Sequence, residues 1–143
     1  MVIAIFGESC VGKSTIAEKL ASRLNAEVFS GKDYLKLAKS ESMAALLFKK
    51  KLAAPDGNIL YVISEKEQLT LLPEDCLRVL VTASLDTIRE RFAQRMHGQL
   101  PAPVAAMLER KHGQFDSEPC AIHINADAQT SEEACELILS HMK

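Results

Sequence analysis

Two glycines, a lysine and a hydroxyl stand close together near the start of this sequence, in the run Gly7-Glu8-Ser9-Cys10-Val11-Gly12-Lys13-Ser14. Gly7 and Gly12 let the backbone turn with positive φ and approach a ligand without a Cβ in the way. Successive N–H groups before a helix then form a nest that holds a phosphate mainly by main-chain contacts. The spacing G-x-x-x-x-G-K-[ST] therefore predicts a loop that binds the phosphates of a nucleotide.

The end of this run carries the side chains that would act on such a ligand. Lys13 supplies a mobile positive charge between the β- and γ-phosphates, and the Ser14 hydroxyl is placed to ligate Mg²⁺. Thr15 belongs to the same helical turn and is a weaker candidate ligand. Without nucleotide, we expect Lys13 to be a surface charge. Kinases, hydrolases and regulatory proteins all use this loop, so the motif does not select the reaction.

The elements around the loop are those that the motif requires. An apolar run of strand length, 2–6, precedes it, and Ile16, Leu20 and Leu24 come after it at helical spacing up to a stop signal at Asn25. Further strands are predicted at 27–29, 59–63, 77–82 and 121–125, and the run 59–63 is typical of a strand buried on both faces.

Helical patterns fill the segments between these strands. In the segment 34–52, which is interrupted at 40–42, the apolar positions are Leu35, Ala38, Met43, Leu46 and Leu47. Ser84 is predicted to cap a helix over 85–96, and Thr130-Ser131-Glu132-Glu133 has capping-box spacing at the start of the last helix. Strands that alternate with helices predict an α/β fold in a single domain, 1–143, with a five-stranded parallel sheet and helices on both faces. Ligands of such sheets bind at the carboxyl ends of the strands, where the loop at Gly7 lies.

Composition excludes several classes of protein. The chain has 143 residues, a net charge of −2 and 25% charged residues, without the basic excess typical of nucleic-acid binders. No apolar run approaches ~18 residues, so we expect no membrane partner. The cysteines are far apart and form no C-x-x-C pair, which argues against zinc and for reduced thiols in a cytoplasmic protein: Cys10, Cys76, Cys120 and Cys135. Nothing in the sequence indicates an oligomeric state.

A pair of arginines offers the positive charge that phosphoryl transfer needs. Arg91 and Arg95 are four residues apart and therefore share one helical face, whereas Arg89 points elsewhere. They come after the fourth predicted strand and precede a loop rich in glycine and proline, where a closing lid would be attached. The alternative is a solvated surface helix that carries scattered arginines.

These features together resemble the nucleoside monophosphate kinase group of small P-loop kinases, which includes adenylate, cytidylate, shikimate and gluconate kinases. The resemblance rests on 7–14, on Asp33 at a strand end and on the Arg91 and Arg95 pair, and it extends in order over nearly the whole chain. The segment 59–95 looks most like the cytidylate-kinase-like family. The resemblance implies a P-loop kinase fold with a short lid at about 96–104, with ATP and Mg²⁺ as cofactors.

The resemblance also implies residue roles. The nucleotide would be bound by Gly7, Glu8, Ser9, Cys10, Val11, Gly12, Lys13, Ser14 and Thr15. Arg91 would lie against the adenine, Arg95 would reach the phosphates, and the segment 125–129, which includes Asp127, would wrap the base by its main chain. Asp33 matches the carboxylate that shikimate-type kinases aim at the acceptor hydroxyl, although it could instead cap the helix that starts at Tyr34. Arg110 falls where some relatives hold the acceptor.

Two departures from the family concern the acceptor and the metal. Ser64-Glu65 replaces the Asp-Gly or Gly-Arg of relatives, so no Walker B aspartate is evident, and Glu65 would either substitute through water or lie in solvent. The segment 34–52 contains lysines and no arginine, and lysine lacks the bidentate fork suited to an acceptor phosphate.

The sequence therefore predicts an ATP-dependent kinase in which Lys13 and Arg95 surround the transferred group and Asp33 orients a small acceptor. That acceptor is expected to be a nucleoside or nucleotide. Two alternatives stay open: a kinase of a non-nucleotide hydroxyl metabolite, and a regulatory module that binds nucleotide without catalysis.

Overall fold

The computed structural model describes residues 1–142 and contains one five-stranded sheet with the strand order β2-β3-β1-β4-β5, in which all neighbouring strands are parallel. The strands are β1 (Val2–Phe6), β2 (Glu27–Ser30), β3 (Ile59–Ile63), β4 (Leu77–Thr82) and β5 (Ile122–Asn125). The α-helices are α1 (Lys13–Leu24), α2 (Glu41–Ala53), α3 (Leu85–Arg95), α4 (Ala102–Lys111) and α5 (Ser131–His141). Short 3₁₀ helices, Asp33–Leu37 and Lys66–Leu71, come after β2 and β3. The predicted α/β fold is confirmed.

Helices cover the sheet on both faces. Because side chains alternate along a strand, Ile3 and Ile5 of β1 join one core, while Val2, Ala4 and Phe6 join the other. The first core receives side chains from α1, α3, α4 and α5, and the second from α2 and both 3₁₀ helices. β1 and β3 are buried along their whole length, which explains their uninterrupted apolar runs.

The helix α2 buries a different face from the one that its apolar pattern indicates. Exposed fractions are 49% for Met43, 47% for Leu46 and 39% for Leu47, so the positions singled out in the sequence point outward. The residues that α2 buries are Ala44, Phe48 and Leu52. The apolar positions listed from the sequence therefore do not mark the buried face of α2.

Aromatic packing explains which face of α2 turns inward. The Phe48 ring lies 4.9 Å from that of Phe29, 5.3 Å from that of Tyr34 and 4.9 Å from that of Tyr61. Aromatic side chains bury large areas, and offset and edge-on contacts between their rings add further stabilisation. Burying this cluster therefore stabilises the fold more than burying the three aliphatic side chains on the opposite face would.

The ends of the helices are formed as their sequence signals predict. Asn25 ends α1 in the left-handed conformation, with φ 52° and ψ 49°. The Ser84 side chain accepts a hydrogen bond from the N–H of Thr87, and Thr130 and Glu133 form a complete capping box on α5. Residues 96–101 connect α3 to α4, so the last part of the predicted lid is the first turn of α4. Within residues 1–142, no helix has the length and apolar character needed to cross a membrane.

Candidate functional site

The glycine-rich loop leaves the carboxyl end of β1, the central strand, between β3 and β4. A Cβ on Gly7 would lie 2.2 Å from the carbonyl oxygen of Val81 in β4, so glycine is needed there for space. Gly12, at the N-cap of α1, has φ 101°, a left-handed conformation that favours glycine. The two glycines therefore fix the loop for different reasons, since Gly7 is nearly extended.

Lys13 is folded back onto the loop instead of projecting from it. Its Nζ donates hydrogen bonds of 2.6 Å to the carbonyl oxygens of Gly7 and Glu8, and only 5% of the residue is exposed. The expectation of a surface charge was wrong, because loop carbonyls take the place of phosphate oxygens. Desolvation, helped by the positive charge of Arg95, lowers the pKa of Lys13 from 10.5 to about 8, although Cys10 and Glu8 oppose the shift.

The lowered pKa of Lys13 makes the stability of the nucleotide-free protein depend on pH. Between about pH 8 and 10.5 the unfolded chain holds this proton more tightly than the folded chain, so the free energy of unfolding should rise with pH across that window. Urea unfolding at the two ends of the window measures the change. Lys13→Met should lack this contribution. If the free energy of unfolding instead changes with pH by the same amount in parent and variant, the pKa of Lys13 is not lowered by folding.

A cleft of about 760 Å³ brings together most of the residues that the sequence assigns to the nucleotide. Its walls include Cys10 to Gly12 and Thr15 from the loop, Arg91 and Arg95 from α3, and Ala126 to Gln129 after β5. Nη1 of Arg91 donates a 3.2 Å hydrogen bond to the carbonyl oxygen of Cys10, which joins α3 to the loop. The cleft therefore brings part of the loop next to the two arginines of α3 and the segment after β5, whereas Lys13 and Ser14 line a different cavity.

A second cavity of about 350 Å³ lies on the other side of the loop. Lys13, Ser14, Thr15 and Arg95 line one part of it, and the carboxyl ends of β2 and β3 line the rest through Ser30, Gly31, Val62 and Ser64. Sequence reasoning missed Ser30, Gly31 and Ser64 as site residues. The available signal was small and polar residues directly after two parallel strands, where ligands of such sheets bind.

The candidate acceptor residues are distributed around this cavity and beyond it. Oδ2 of Asp33 accepts a 3.0 Å hydrogen bond from the N–H of Ser30, so Asp33 supports the cavity wall and does not cap the helix after it. Glu65 pairs with Lys111 at 3.8 Å, which leaves it partnered by α4. Arg110 is exposed near the end of α4 and lines neither cavity.

The hydroxyls of the loop provide the group that a nucleotide-bound metal needs. Ser14 and Thr15 are exposed and line the second cavity. Among residues 1–142, no three His, Cys, Asp or Glu side chains are grouped so as to hold a metal ion. Mg²⁺ usually keeps several waters and binds substrate phosphates with few protein ligands, so these hydroxyls fit Mg²⁺ carried by a nucleotide.

The Glu8 carboxylate ties the loop to the end of α4. Its Oε1 lies 3.1 Å from Nδ1 of His112, and its Oε2 accepts a 3.1 Å hydrogen bond from the N–H of Gly113. Glu8 is 8% exposed, and a buried carboxylate without such partners would be costly. No local sequence signal marks this contact, because it joins residues about a hundred positions apart.

No family model matches the chain, and no curated protein matches it. Solved structures do. An uncharacterized protein from Eubacterium ventriosum is 19% identical over 99% of this chain and 97% of its own, with a TM-score of 0.72. A gluconokinase from Sinorhizobium meliloti is 16% identical over 97% of this chain and 89% of its own, with a TM-score of 0.66. A deoxyadenosine kinase from M. mycoides, solved with bound dATP, is 18% identical over 99% of both chains, with a TM-score of 0.62. The chain therefore has the fold of P-loop kinases.

Proposed function

We propose that this protein is an ATP-dependent kinase that transfers the γ-phosphoryl group to a hydroxyl of a small acceptor. The observation that carries the proposal is the shared position of Lys13, Ser14 and Arg95, which line a cavity closed on its other side by the ends of β2 and β3. Phosphoryl transfer requires positive charge around the transferred group and a space for the acceptor next to it, and this cavity offers both.

Each residue has a role that fits its position. Lys13 and Arg95 neutralise charge on the phosphates, and Ser14 holds Mg²⁺, which supplies further positive charge when it is bound with the nucleotide. Asp33, one hydrogen bond behind the cavity wall at Ser30, accepts the proton of the acceptor hydroxyl after a local movement of that wall. Arg91 and the segment after β5 hold the base.

We further infer that the acceptor is neutral. Arg95 is the only arginine that lines the second cavity in the described part of the chain, and the exposed Lys32, Lys36 and Lys39 do not line it. An acceptor phosphate carries close to two charges and would need a clamp that these walls lack. A nucleoside fits the serine-lined walls, and one structural neighbour is a kinase of the nucleoside deoxyadenosine. The cytoplasm, where ATP is plentiful and thiols stay reduced, suits such an enzyme.

A coupled assay of ADP release over matched acceptors tests this proposal. We expect adenosine, deoxyadenosine or cytidine to be turned over with a higher kcat/KM than the corresponding monophosphate. Asp33→Asn should lower kcat by about 10²-fold or more, because it removes the carboxylate that takes the proton.

The same panel distinguishes the competing functions. Robust turnover of a monophosphate that survives Asp33→Asn would contradict the neutral acceptor. Stimulation only by sugars or hydroxy acids would place the enzyme with kinases of non-nucleotide metabolites. ATP binding without stimulation by any acceptor would instead support a regulatory module, and the proposed catalysis would be rejected.

A further inference from the structure

The Asp127 carboxylate is bound to the first turn of α3. Its Oδ2 accepts a 2.7 Å hydrogen bond from the N–H of Ser84, and its Oδ1 accepts a 2.7 Å bond from the Thr87 hydroxyl. These bonds, with that from Thr87 the strongest cause, lower the pKa of the Asp127 carboxyl, so it stays charged at the positive end of the helix. Each oxygen of this carboxylate therefore already has one protein partner at the start of α3.

The loop that carries Asp127 is itself held in place. The N–H of Asp127 donates a 3.0 Å hydrogen bond to Oδ1 of Asn125, and the N–H of Asn125 donates a 2.9 Å bond to Oε1 of Gln129. The N–H of Ala126 donates a 2.8 Å bond to the carbonyl oxygen of Thr82 in β4. Because this segment also lines the nucleotide cleft, a rigid wall of the base site is joined to the start of α3.

The helix α3 is held both by this anchor and by packing, since Leu85 and Phe92 lie against the core that contains Ile88. Ile88 is its only fully buried residue in the described structure. Thr87, Arg91 and Arg95 lie at intervals of four, so they share one face, and the helical rise places Arg95 about 12 Å from Thr87 along the axis. A small tilt at the anchored end therefore moves the Arg95 guanidinium by a much larger distance.

We propose that Asp127 and Thr87 are positioning residues: together they set the direction of α3, and hence the places of Arg91 and Arg95, from the wall of the base site. The proposal rests on the proposed function for the role of Arg95 in catalysis, but the link itself concerns nucleotide binding alone. A base seated against residues 126–129 then favours the orientation of α3 that places Arg91 beside the base and Arg95 at the phosphates. Asp127 contributes no contact of its own carboxylate to the base.

A double-mutant cycle on ATP affinity tests the link without requiring turnover. ATP binding to the full-length protein is measured by titration calorimetry for the parent, Thr87→Val, Arg91→Ala and the double variant. Thr87→Val keeps the shape of the side chain but removes the hydroxyl, and it should weaken ATP binding about 5- to 20-fold. The double variant should bind ATP no more than about twofold more weakly than the weaker single variant, because Thr87 affects ATP affinity mainly through Arg91, whereas Arg95 is expected to act mainly in the transition state.

Matched controls separate positioning from a general loss of stability. Thr87→Ser restores the hydroxyl and should restore ATP affinity. Ser40→Ala removes the cap of α2, where the Ser40 hydroxyl accepts from the N–H of Met43 at 3.2 Å, and should lower the melting temperature as much as Thr87→Val without changing ATP affinity. Asp127→Asn should weaken the binding of ATP and the binding of GTP by the same factor. The proposal would be overturned if the losses of ATP affinity in the two single variants multiply in the double variant. It would also be overturned if Thr87→Val binds ATP like the parent, or if Asp127→Asn changes the preference between ATP and GTP. None of these outcomes depends on finding an acceptor.

Discussion

Replacement of Lys13 by methionine is expected to lower kcat/KM by about 10²- to 10³-fold, the loss seen when one preorganised donor to a developing negative charge is removed. In the folded protein the ammonium is buried and bonded to the Gly7 and Glu8 carbonyl oxygens, so under the proposed function we expect nucleotide binding to exchange these partners for phosphate oxygens. Methionine fills the same space but cannot make that exchange. Steady-state kinetics and ATP titration of the purified variant measure the loss.

Methionine is preferred to alanine because Lys13 is 5% exposed, and truncation would leave a cavity beside two unpaired carbonyl groups. Lys19→Met is the matched control, since Lys19 lies on the same helix and pairs with Glu132 at 2.6 Å, away from the loop. Such exposed pairs contribute little to stability, so this variant should keep parent activity. Parent-like ATP binding and turnover in a folded Lys13→Met protein would refute the assignment of the phosphate site.

Arg95→Ala is expected to lower kcat by about 10²-fold while the KM for ATP changes only a few-fold. The Arg95 side chain is exposed, makes no hydrogen bond within the described residues, and lines both the cleft of about 760 Å³ and the second cavity. This side chain has no hydrogen-bond partner in the described part of the chain in the absence of substrate, but it lies between the places proposed for ATP and for the acceptor. We therefore expect it to form its contacts during phosphoryl transfer. Its loss therefore affects the transition state more than ground-state binding.

Arg89→Ala controls for the loss of positive charge from α3. Arg89 pairs with Glu109 of α4 at 3.4 Å and faces away from the cleft, so this variant should keep kcat within about twofold of the parent, as expected for a solvent-accessible ion pair. If Arg95→Ala also stays within twofold in both constants, Arg95 belongs to a solvated face and the lid interpretation is wrong.

The sheet could be predicted from the sequence because its information is local. β1 and β3 are uninterrupted apolar runs, and the loop motif fixes the turn and the helix after β1. The caps at Ser84 and Thr130 lie within three residues of the N–H groups that they bind. Short-range signals of this kind need no knowledge of the tertiary structure.

The contacts that define the site could not be predicted in the same way. The folded-back position of Lys13 depends on loop carbonyls that point at it, and the partner of Glu8 is His112, far along the chain. Asp127 was assigned to the base site only through the main chain of its segment, and no sequence signal linked its carboxylate to the start of α3. Each of these side chains has partners that only the tertiary structure supplies.

The buried face of α2 shows the same limit for packing. Both sides of this helix carry apolar residues, so periodicity alone does not choose between them. Phe48 faces inward because Phe29, Tyr34 and Tyr61 come together from three other elements. Those partners are visible only once the strand order is known.

The two helices that flank the connection 96–101 are each attached to the glycine-rich loop. Arg91 on α3 bonds to Cys10, while the end of α4 is bound through His112 and Gly113 to Glu8, so both helices are attached to the same loop. The entropy of closing a loop grows only with the logarithm of its length, so extra residues between these attachments cost little. We therefore expect residues 96–101 to accept an inserted segment or reporter domain without changes to the sheet.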